Sequence, residues 1–353
     1  MHILIRKLVL LVAACGLLGT SFVSQAADGK KIKVMTTSSS YAPIVKYIAG
    51  DKAEVEYIIK GYQDPHIVRP KPSLAVHLSK TDLLISTGLD LEAWLPTLQD
   101  MSGNAQIMSG QKGFVAVTAG MSIADKPTSL DRSEGDVHIF GNPHVHTSPL
   151  NGKVIAENIT IGLKKVAPEH AVFFEKRLKA FNSEIDRRMF GDKLVKLLGG
   201  KTLCRLALKG QLHNFLAKKK FKGKPLSDYL GGWMKKAAPL RGKKMVTYHK
   251  NWTYFTKLLG IKVVGYMEPK PGIPPSPGHI STLIEMIRRE KIKVVFTANY
   301  FDQGKVKRIT EMTGAKAVVV ALAVDGQPEI KTFFDQFDVW IDALNKAFAD
   351  VKD

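Results

Sequence analysis

The stretch PEHAVFFEKRLKAFNSEIDRRM, from Pro168 to Met189, separates two halves of the chain with similar patterns of apolar residues. Proline is tolerated in the first turn of a helix and an acidic residue suits that end, so Pro168 followed by Glu169 predicts a helix start. Roughly 22 residues at 1.5 Å per residue give a helix about 33 Å long. Such a helix would run along both halves of the protein as a stiff spine.

On either side of this stretch, short β-branched runs alternate with amphipathic runs, which is typical of a parallel sheet covered by helices. In the first half, strands are predicted near Ile32–Thr36, Val55–Ile59, Asp82–Ser86 and Phe114–Thr118, and helices near Ala42–Ala49, Pro72–Lys80 and Leu91–Gln99. In the second half, strands are predicted near Lys244–Tyr248, Lys262–Tyr266, Lys293–Thr297 and Ala315–Val320, and helices near Trp252–Leu259, Gly278–Glu290, Gly304–Thr313 and Ile330–Ala349. The predicted fold is therefore α/β, with two lobes, each a mainly parallel sheet covered by helices, joined by a single long spine helix.

The length of the chain also favours two lobes, because about 325 residues exceed what one hydrophobic core usually holds. The predicted organisation is a signal peptide at 1–26, an N-terminal α/β lobe at 27–150, a helical linker with the spine helix at 151–190, and a C-terminal α/β lobe at 191–353. The beginning of the last segment, Gly191–Gly242, is rich in Lys and Gly and is predicted to be mostly helical.

The first 26 residues have the pattern of a secretory signal peptide. Arg6 and Lys7 precede an apolar run from Leu8 to Val23, and small residues follow at Ser24-Gln25-Ala26. The expected location is the periplasm. Cys15 follows Val12-Ala13-Ala14, a loose match to a bacterial lipoprotein box, so anchoring through a lipid on Cys15 is an alternative to a freely diffusing protein.

The charge of the chain is strongly basic, at a formal +20. Exposed lysines on an exported protein explain this charge without a polyanionic partner. The basic runs Lys218–Lys220 and Arg241–Lys244 have few interleaved aromatic residues and match no recognition motif, so no nucleic-acid partner is expected.

Three histidines far apart in the chain share one local context. His66 and His144 each follow a proline in a loop, and His249 directly follows the predicted strand Lys244–Tyr248. Ligands of open α/β sheets gather at the carboxyl ends of strands, and neutral imidazoles are common ligands of transition metals. The three residues therefore predict a metal site assembled from the whole fold.

Three imidazoles leave one position open on a tetrahedral ion. Asp325 and Glu268 each follow a predicted strand and would bring a carboxylate, although a turn role for Asp325 and a loop hydrogen bond for Glu268 explain them equally well. His138 and His146 flank His144; His146 would reach the same ion as His144 only if the loop bends. Asp325, Glu268, His146 and water remain open as the fourth ligand.

Several segments resemble the TroA/ZnuA-like metal-binding proteins that serve bacterial ABC transporters. They are Asp64-Pro65-His66, Thr81 to Leu95 (TDLLISTGLDLEAWL), Gly135 to His138 with Gly141 to His144, Tyr248 to Phe255, and Glu268 to Pro277. The resemblance runs through nearly the whole chain after the leader. It implies two α/β lobes joined by one long helix, with zinc or manganese bound between them and an acidic fourth ligand near Asp325.

The chain also departs from that family pattern. The second histidine of the family is usually followed by a Trp-Leu-Asp-Pro type run, whereas this chain has Val145-His146-Thr147-Ser148-Pro149, which makes His146 an additional candidate ligand. The loop rich in His, Asp and Glu that zinc-specific members often carry is absent from the sequence, so the identity of the metal stays open.

The sequence thus predicts a non-enzymatic, extracytoplasmic solute-binding protein that delivers zinc, or alternatively manganese, to the permease of an inner-membrane ABC transporter. The predicted metal ligands are His66, His144, His249 and Asp325. An exported zinc-dependent hydrolase using the same three histidines is one alternative, although no His-Glu-x-x-His motif places a general base. A metal-stabilised surface adhesin is the other.

Overall fold

The computed structural model describes residues 30–127, 138–269 and 272–350. The predicted signal peptide, including Cys15, lies outside the described residues, as do Gly135–Val137. From Lys31 onward the chain forms one compact unit. Among the helices that are described, none is long and apolar enough to cross a membrane.

The first sheet contains four parallel strands in the order β2-β1-β3-β4. These are β1 (Ile32–Ser38), β2 (Ala53–Ile59), β3 (Leu83–Ser86) and β4 (Phe114–Ala116), accompanied by helices α1 (Ala42–Ala49), α2 (Pro72–Leu78) and α3 (Leu95–Ser102). Val34 of the inner strand β1 pairs with Val55 on one side and Leu83 on the other. The apolar β-branched runs form strands because this position buries them on both faces.

Helix α3 begins four residues later than the sequence predicted. The prediction of a helix near Leu91–Gln99 is wrong at its start because the carboxylate of Glu92 holds the preceding residues in a turn. Glu92 accepts hydrogen bonds from the backbone N–H of Thr87 at 3.0 Å and from the hydroxyl of Thr37 at 2.6 Å. The helix starts at Leu95, where Pro96 is tolerated because the first turn needs no internal N–H donor.

Two long helices connect the sheets, namely α4 (Pro149–Val166) and α5 (Ala171–Phe190). The predicted spine is confirmed, although its first three residues, Pro168–His170, form a 3₁₀ turn before α5 begins. At 1.5 Å per residue, the 20 residues of α5 extend about 30 Å. Helix α5 packs against α1 in the first half of the chain and against α9 (Gly232–Lys236) in the second.

The segment after α5 is mostly helical, as predicted. It contains α6 (Asp192–Leu198), α7 (Gly200–Leu208) and α8 (Leu212–Lys218), followed by a short antiparallel hairpin of β5 (Lys220–Phe221) and β6 (Lys224–Pro225). The sequence prediction did not include this hairpin.

The second sheet also has four parallel strands, in the order β10-β9-β7-β8. They are β7 (Lys244–Thr247), β8 (Lys262–Tyr266), β9 (Val294–Ala298) and β10 (Lys316–Val320), with helices α10 (Thr253–Leu259), α11 (Pro277–Arg289), α12 (Gln303–Thr313) and α13 (Phe333–Asp350). The predicted class of two mainly parallel sheets covered by helices is confirmed.

One continuous hydrophobic core links the two sheets. It includes Val34 and Leu83 of the first sheet, Phe296 of the second, and Phe181 of α5. Helix α4 approaches α13 closely at Gly152, where a Cβ atom would clash with the ring of Phe333. The residue boundaries of the lobes stay a prediction.

Candidate metal centre

His66 lies in the loop after β2, and its ring is held by the residue two positions earlier. Asp64 Oδ1 accepts hydrogen bonds from the backbone N–H of His66 at 3.0 Å and from ring Nδ1 at 2.7 Å. The indole N–H of Trp94 donates to the carbonyl of Pro65 at 3.0 Å and fixes the loop. Burial by itself would raise the pKa of Asp64, but the hydrogen bonds and charge of His66 lower it below its ordinary value. The ionised carboxylate engages Nδ1, so Nε2 is the ring nitrogen of His66 that is available to a metal ion.

His144 repeats this arrangement with an amide in place of the carboxylate. Asn142 Oδ1 accepts from the backbone N–H of His144 at 3.0 Å and from ring Nδ1 at 2.9 Å. The side-chain amide of Asn142 donates to the carbonyl of Lys250 at 2.8 Å. Asn142 therefore orients His144 and ties its loop to the loop that follows β7.

His249 comes two residues after β7 and is 4% exposed. Its Nδ1 donates to Glu268 Oε2 in a short hydrogen bond, and the other carboxylate oxygen of Glu268 accepts from the backbone N–H of Gly272 at 2.9 Å. Glu268, one of the candidates for the fourth ligand, thus acts as the hydrogen-bond partner of a histidine. The same bond again leaves Nε2 of His249 free.

His138 is the fourth histidine at this point. Its Nε2 lies 3.2 Å from Nε2 of His66, and the two rings stack with centroids 5.1 Å apart. Burial, followed by the neighbouring imidazoles, lowers the pKa of His138 to about 3. Burial and the surrounding imidazoles also hold the pKa of His144 well below its ordinary value. Both rings are neutral at pH 7, which is the form that binds metals.

The ring nitrogens of His66, His138, His144 and His249 converge, with one ligand atom of each residue lying within 4.8 Å of all the others. Four nitrogens at about 2.0–2.1 Å from a tetrahedral zinc ion would be roughly 3.3–3.4 Å apart. The 3.2 Å between His66 and His138 already matches one edge of such a tetrahedron.

Two of these nitrogens are buried without a partner. Nε2 of His144 and Nε2 of His249 make no hydrogen bond with the described part of the chain. A buried polar atom without a partner costs free energy, and a metal ion that accepts both lone pairs would remove that cost. A cavity of about 280 Å³ adjoins the histidines and is lined by Asp64, Glu268, Ile273 and Phe301 among others.

Of the four predicted ligands, the structure brings the three histidines together and leaves Asp325 elsewhere. Asp325 follows β10 with a φ of +62°. Its carboxylate accepts a hydrogen bond from the hydroxyl of Tyr57 at 3.2 Å and lies 3.6 Å from the ammonium group of Lys331. It is exposed and outside the histidine cluster, whose fourth member is His138.

His146 also lies outside the cluster. It is 3% exposed, and burial lowers the pKa of its ring to about 4. It faces the ring of Tyr41 edge-on at 6.3 Å. The sequence singles out His146, and not His138, as the additional candidate ligand, whereas the cluster contains His138. The available signal for His138 was its place in the Gly135–His138 segment of the family resemblance, but no spacing rule connects it to His66.

The arrangement suits binding of an ion better than catalysis at it. A catalytic zinc keeps one position open for water, whereas four histidines can occupy all four positions. The two nearby carboxylates, Asp64 and Glu268, are each engaged by a histidine ring. Neither is free to act as a general base.

Known metal-binding transport proteins resemble this chain along most of its length. The model of the family described as zinc-uptake complex component A, periplasmic (ZnuA) matches residues 34–188 and 226–347. The metal ABC transporter substrate-binding lipoprotein FimA of Streptococcus parasanguinis is 28% identical over 320 residues, covering 88% of each chain. The iron-binding protein YfeA of Yersinia pestis is 26% identical over 348 residues, covering 96% of this chain and 94% of that protein.

Solved structures share the fold at lower identity. A zinc-bound deletion mutant of ZnuA superposes with a TM-score of 0.66 at 19% identity, covering 92% of this chain and 99% of the other. A manganese-bound periplasmic metal-binding protein of Candidatus Liberibacter asiaticus gives a TM-score of 0.62 at 18% identity, covering 90% of this chain and 100% of the other. The resemblance noted from the sequence is confirmed. Because the family model matches well over half of its residues, this chain belongs to the ZnuA family of periplasmic zinc-uptake components.

Proposed function

We propose that this protein captures a zinc ion outside the cytoplasm through His66, His138, His144 and His249 and delivers it to an ABC transporter. The observation that carries the proposal is the convergence of four imidazoles, two of which bury an Nε2 with no partner in the described residues. The protein is a metal-binding component of a transport system and not an enzyme, as its family indicates. The hydrolase and adhesin alternatives are not favoured.

The donor set supports zinc over manganese. Imidazole nitrogen suits zinc, whereas manganese prefers carboxylate, carbonyl and water oxygens. The relatives differ in the metal that their names state. PsaA of Streptococcus mitis is named as a manganese protein; it is 26% identical over 309 residues, covering 86% of this chain and 83% of that protein. YfeA is named as an iron-binding protein. The donor set of four imidazole nitrogens, with His138 as its fourth member, is the feature of this chain that supports zinc.

Charge balance supports a divalent cation at this position. Imidazoles bind a metal in their neutral form and then contribute no charge, while Asp64 and Glu268 place two carboxylates directly behind His66 and His249. Two negative charges offset the two positive charges of the ion without contacting it. The same carboxylates keep the Nδ1 protons in place, so that each Nε2 lone pair faces inward.

Delivery requires that the ion can be released to a partner. His66, His138 and His144 come from the first half of the chain and His249 from the second. A small displacement between the halves would therefore remove one ligand from the other three. The relatives FimA and PsaA are lipoproteins of ABC transporters, which supports an extracytoplasmic location and a transporter permease as the receiving partner.

Equilibrium titration of the metal-free chain with zinc and with manganese, followed by elemental analysis, tests the proposal. One ion per chain and tighter binding of zinc are expected. Replacing His66, His144 or His249 singly with Ala should weaken zinc binding by more than about tenfold. Removal of a group that only hydrogen-bonds to a metal ligand already weakens binding by about that factor. His77→Ala is a matched control, because His77 is exposed and pairs with Glu56 on the surface. Unchanged affinity in any two of the three variants, or tighter binding of manganese, would contradict the proposal.

A further inference from the structure

One segment of the chain is not explained by metal transport. Residues 189–225 lie between the two stretches that match the family model. They nevertheless form an ordered part of the fold, since α6, α7 and α8 bury Leu194, Leu203 and Leu212 in the main hydrophobic core, with exposures of 0%, 0% and 1%. The segment therefore lies outside the matched stretches of the family model and is still an integral part of the hydrophobic core.

This segment is strongly basic. Residues 189–225 contain ten Lys and Arg residues and one acidic residue, a net charge of +9 out of +20 for the whole chain. Nine of the ten are Lys. Lysine is a hydrated point charge on a flexible stem, whereas arginine recognises single carboxylate or phosphate groups through two parallel hydrogen bonds. The composition therefore favours an extended negative surface over one defined anionic group.

The charge is concentrated at the β5–β6 hairpin, which we name the lysine hairpin and define as residues 218–224. Its five lysines are all exposed: Lys218, Lys219, Lys220, Lys222 and Lys224. Across the described ranges of the chain, none of their ammonium groups forms an ion pair with a carboxylate. Close positive charges without counter-charges repel one another, and an anionic partner would relieve this repulsion.

An exposed aromatic ring stands among these lysines. Phe221 is 38% exposed, and its ring lies 5.9 Å from that of Tyr229 and 5.6 Å from the ammonium group of Lys222. The hairpin turns through Lys222 at φ +49° and Gly223 at φ +77°. Asn or Asp adopts the first of these positions at lower cost than Lys. Lys222 therefore stands at the tip of the hairpin although lysine disfavours this left-handed backbone conformation.

We propose that the lysine hairpin binds the surface of a membrane that contains anionic phospholipids. Each lysine near such a surface contributes electrostatic attraction that needs no fixed geometry, and Phe221 can enter the interface between headgroups and acyl chains. A protein that delivers an ion to a membrane transporter meets the bilayer surface whenever it docks. The hairpin would keep the metal carrier close to the bilayer in which its transporter lies. The inference uses the proposed function only for this location.

Vesicle co-sedimentation of residues 27–353 tests the proposal, because Lys31–Asp353 forms one compact unit. One set of vesicles contains phosphatidylcholine alone and the other about one-third phosphatidylglycerol. Binding to the anionic vesicles only, weakened by added salt, is expected. Replacing the five hairpin lysines with Gln should weaken binding at least tenfold. The matched control replaces five exposed lysines elsewhere, Lys71, Lys80, Lys112, Lys165 and Lys179, and should bind as tightly as the unchanged chain to within about threefold.

Several results would overturn the proposal: no binding to anionic vesicles, equal binding to neutral vesicles, or loss of binding in both variants alike. Tighter binding to duplex DNA than to anionic vesicles at equal charge concentration would make the hairpin a nucleic-acid site instead. The salt dependence of the unchanged chain gives an answer even if a variant does not fold. Binding to anionic vesicles should be the same with and without zinc. A failure of the proposed zinc binding would therefore leave the vesicle result unchanged.

Discussion

The comparison of His138 and His146 provides the sharpest test of the metal centre. Both histidines lie near His144 in the sequence, but only His138 joins the cluster. Replacing His138 with Ala should weaken zinc binding by at least about 10- to 100-fold, whereas His146→Ala should change it by less than about threefold.

The size of the His138 effect follows from its geometry. Nε2 of His138 is 3.2 Å from Nε2 of His66, close to the roughly 3.3–3.4 Å edge of a tetrahedral zinc site. Loss of a group that merely hydrogen-bonds to a ligand costs 10- to 100-fold in affinity, about 1.4–2.7 kcal/mol, and loss of a direct ligand should cost at least as much. Because the pKa of His138 is lowered to about 3, no proton has to be displaced at pH 7 and the full loss is visible there.

Competition for zinc against a chromophoric chelator at pH 7 measures both variants under one condition. Circular dichroism should accompany it, because His146 is buried and its removal costs packing. Unchanged affinity in a folded His138→Ala variant would refute the four-histidine site and leave a three-histidine one. A larger loss in His146→Ala than in His138→Ala would show that the loop rearranges when the ion binds.

Three further predictions concern the surroundings of the site. Glu268→Gln should weaken zinc binding by about 10- to 100-fold, because it removes the charge that holds Nδ1 of His249. A zinc titration at constant pH measures this loss. The control is Gln327→Glu, on the loop after β10, which should bind zinc as tightly as the unchanged chain. The metal-free protein should lose stability as the pH falls from 6.5 to 4. The pKa of His146 is about 4 when folded against 6.5 when unfolded, so the unfolded chain takes up the proton first, at about 1.4 kcal/mol per pH unit and about 3 kcal/mol in total. Urea unfolding at several pH values measures how the free energy of unfolding changes with pH. In His146→Leu this slope should be smaller by about 1.4 kcal/mol per pH unit. An equal slope in the two proteins would contradict a lowered pKa of His146. Removal of the metal should produce only a small rocking of the two halves, because the 20-residue helix α5 packs against both; solution scattering that reveals a large hinge opening would contradict the stiff spine.

Local sequence signals determined most of the secondary structure. The helix Ala42–Ala49 and the strand Lys262–Tyr266 have the bounds that the sequence predicted. Proline in the first turn, glycine at the end and β-branched runs act within a few residues, so they can be read without knowing the fold. The start of α3 could not be read in this way, because a single carboxylate, Glu92, reaches back to residues on β1 and β3.

The residues of the metal centre were likewise predicted only in part from the sequence. The sequence placed His66, His144 and His249 in rigid loops beside strands, and parallel sheets bring such loops to a common edge. It did not choose His138 over Asp325, because that choice depends on which loop reaches His66 across 72 residues of chain. Asp325 instead pairs with Tyr57 and Lys331. Distances between residues far apart in sequence are set by the packing of the whole core, so only the tertiary structure decided the fourth member of the cluster.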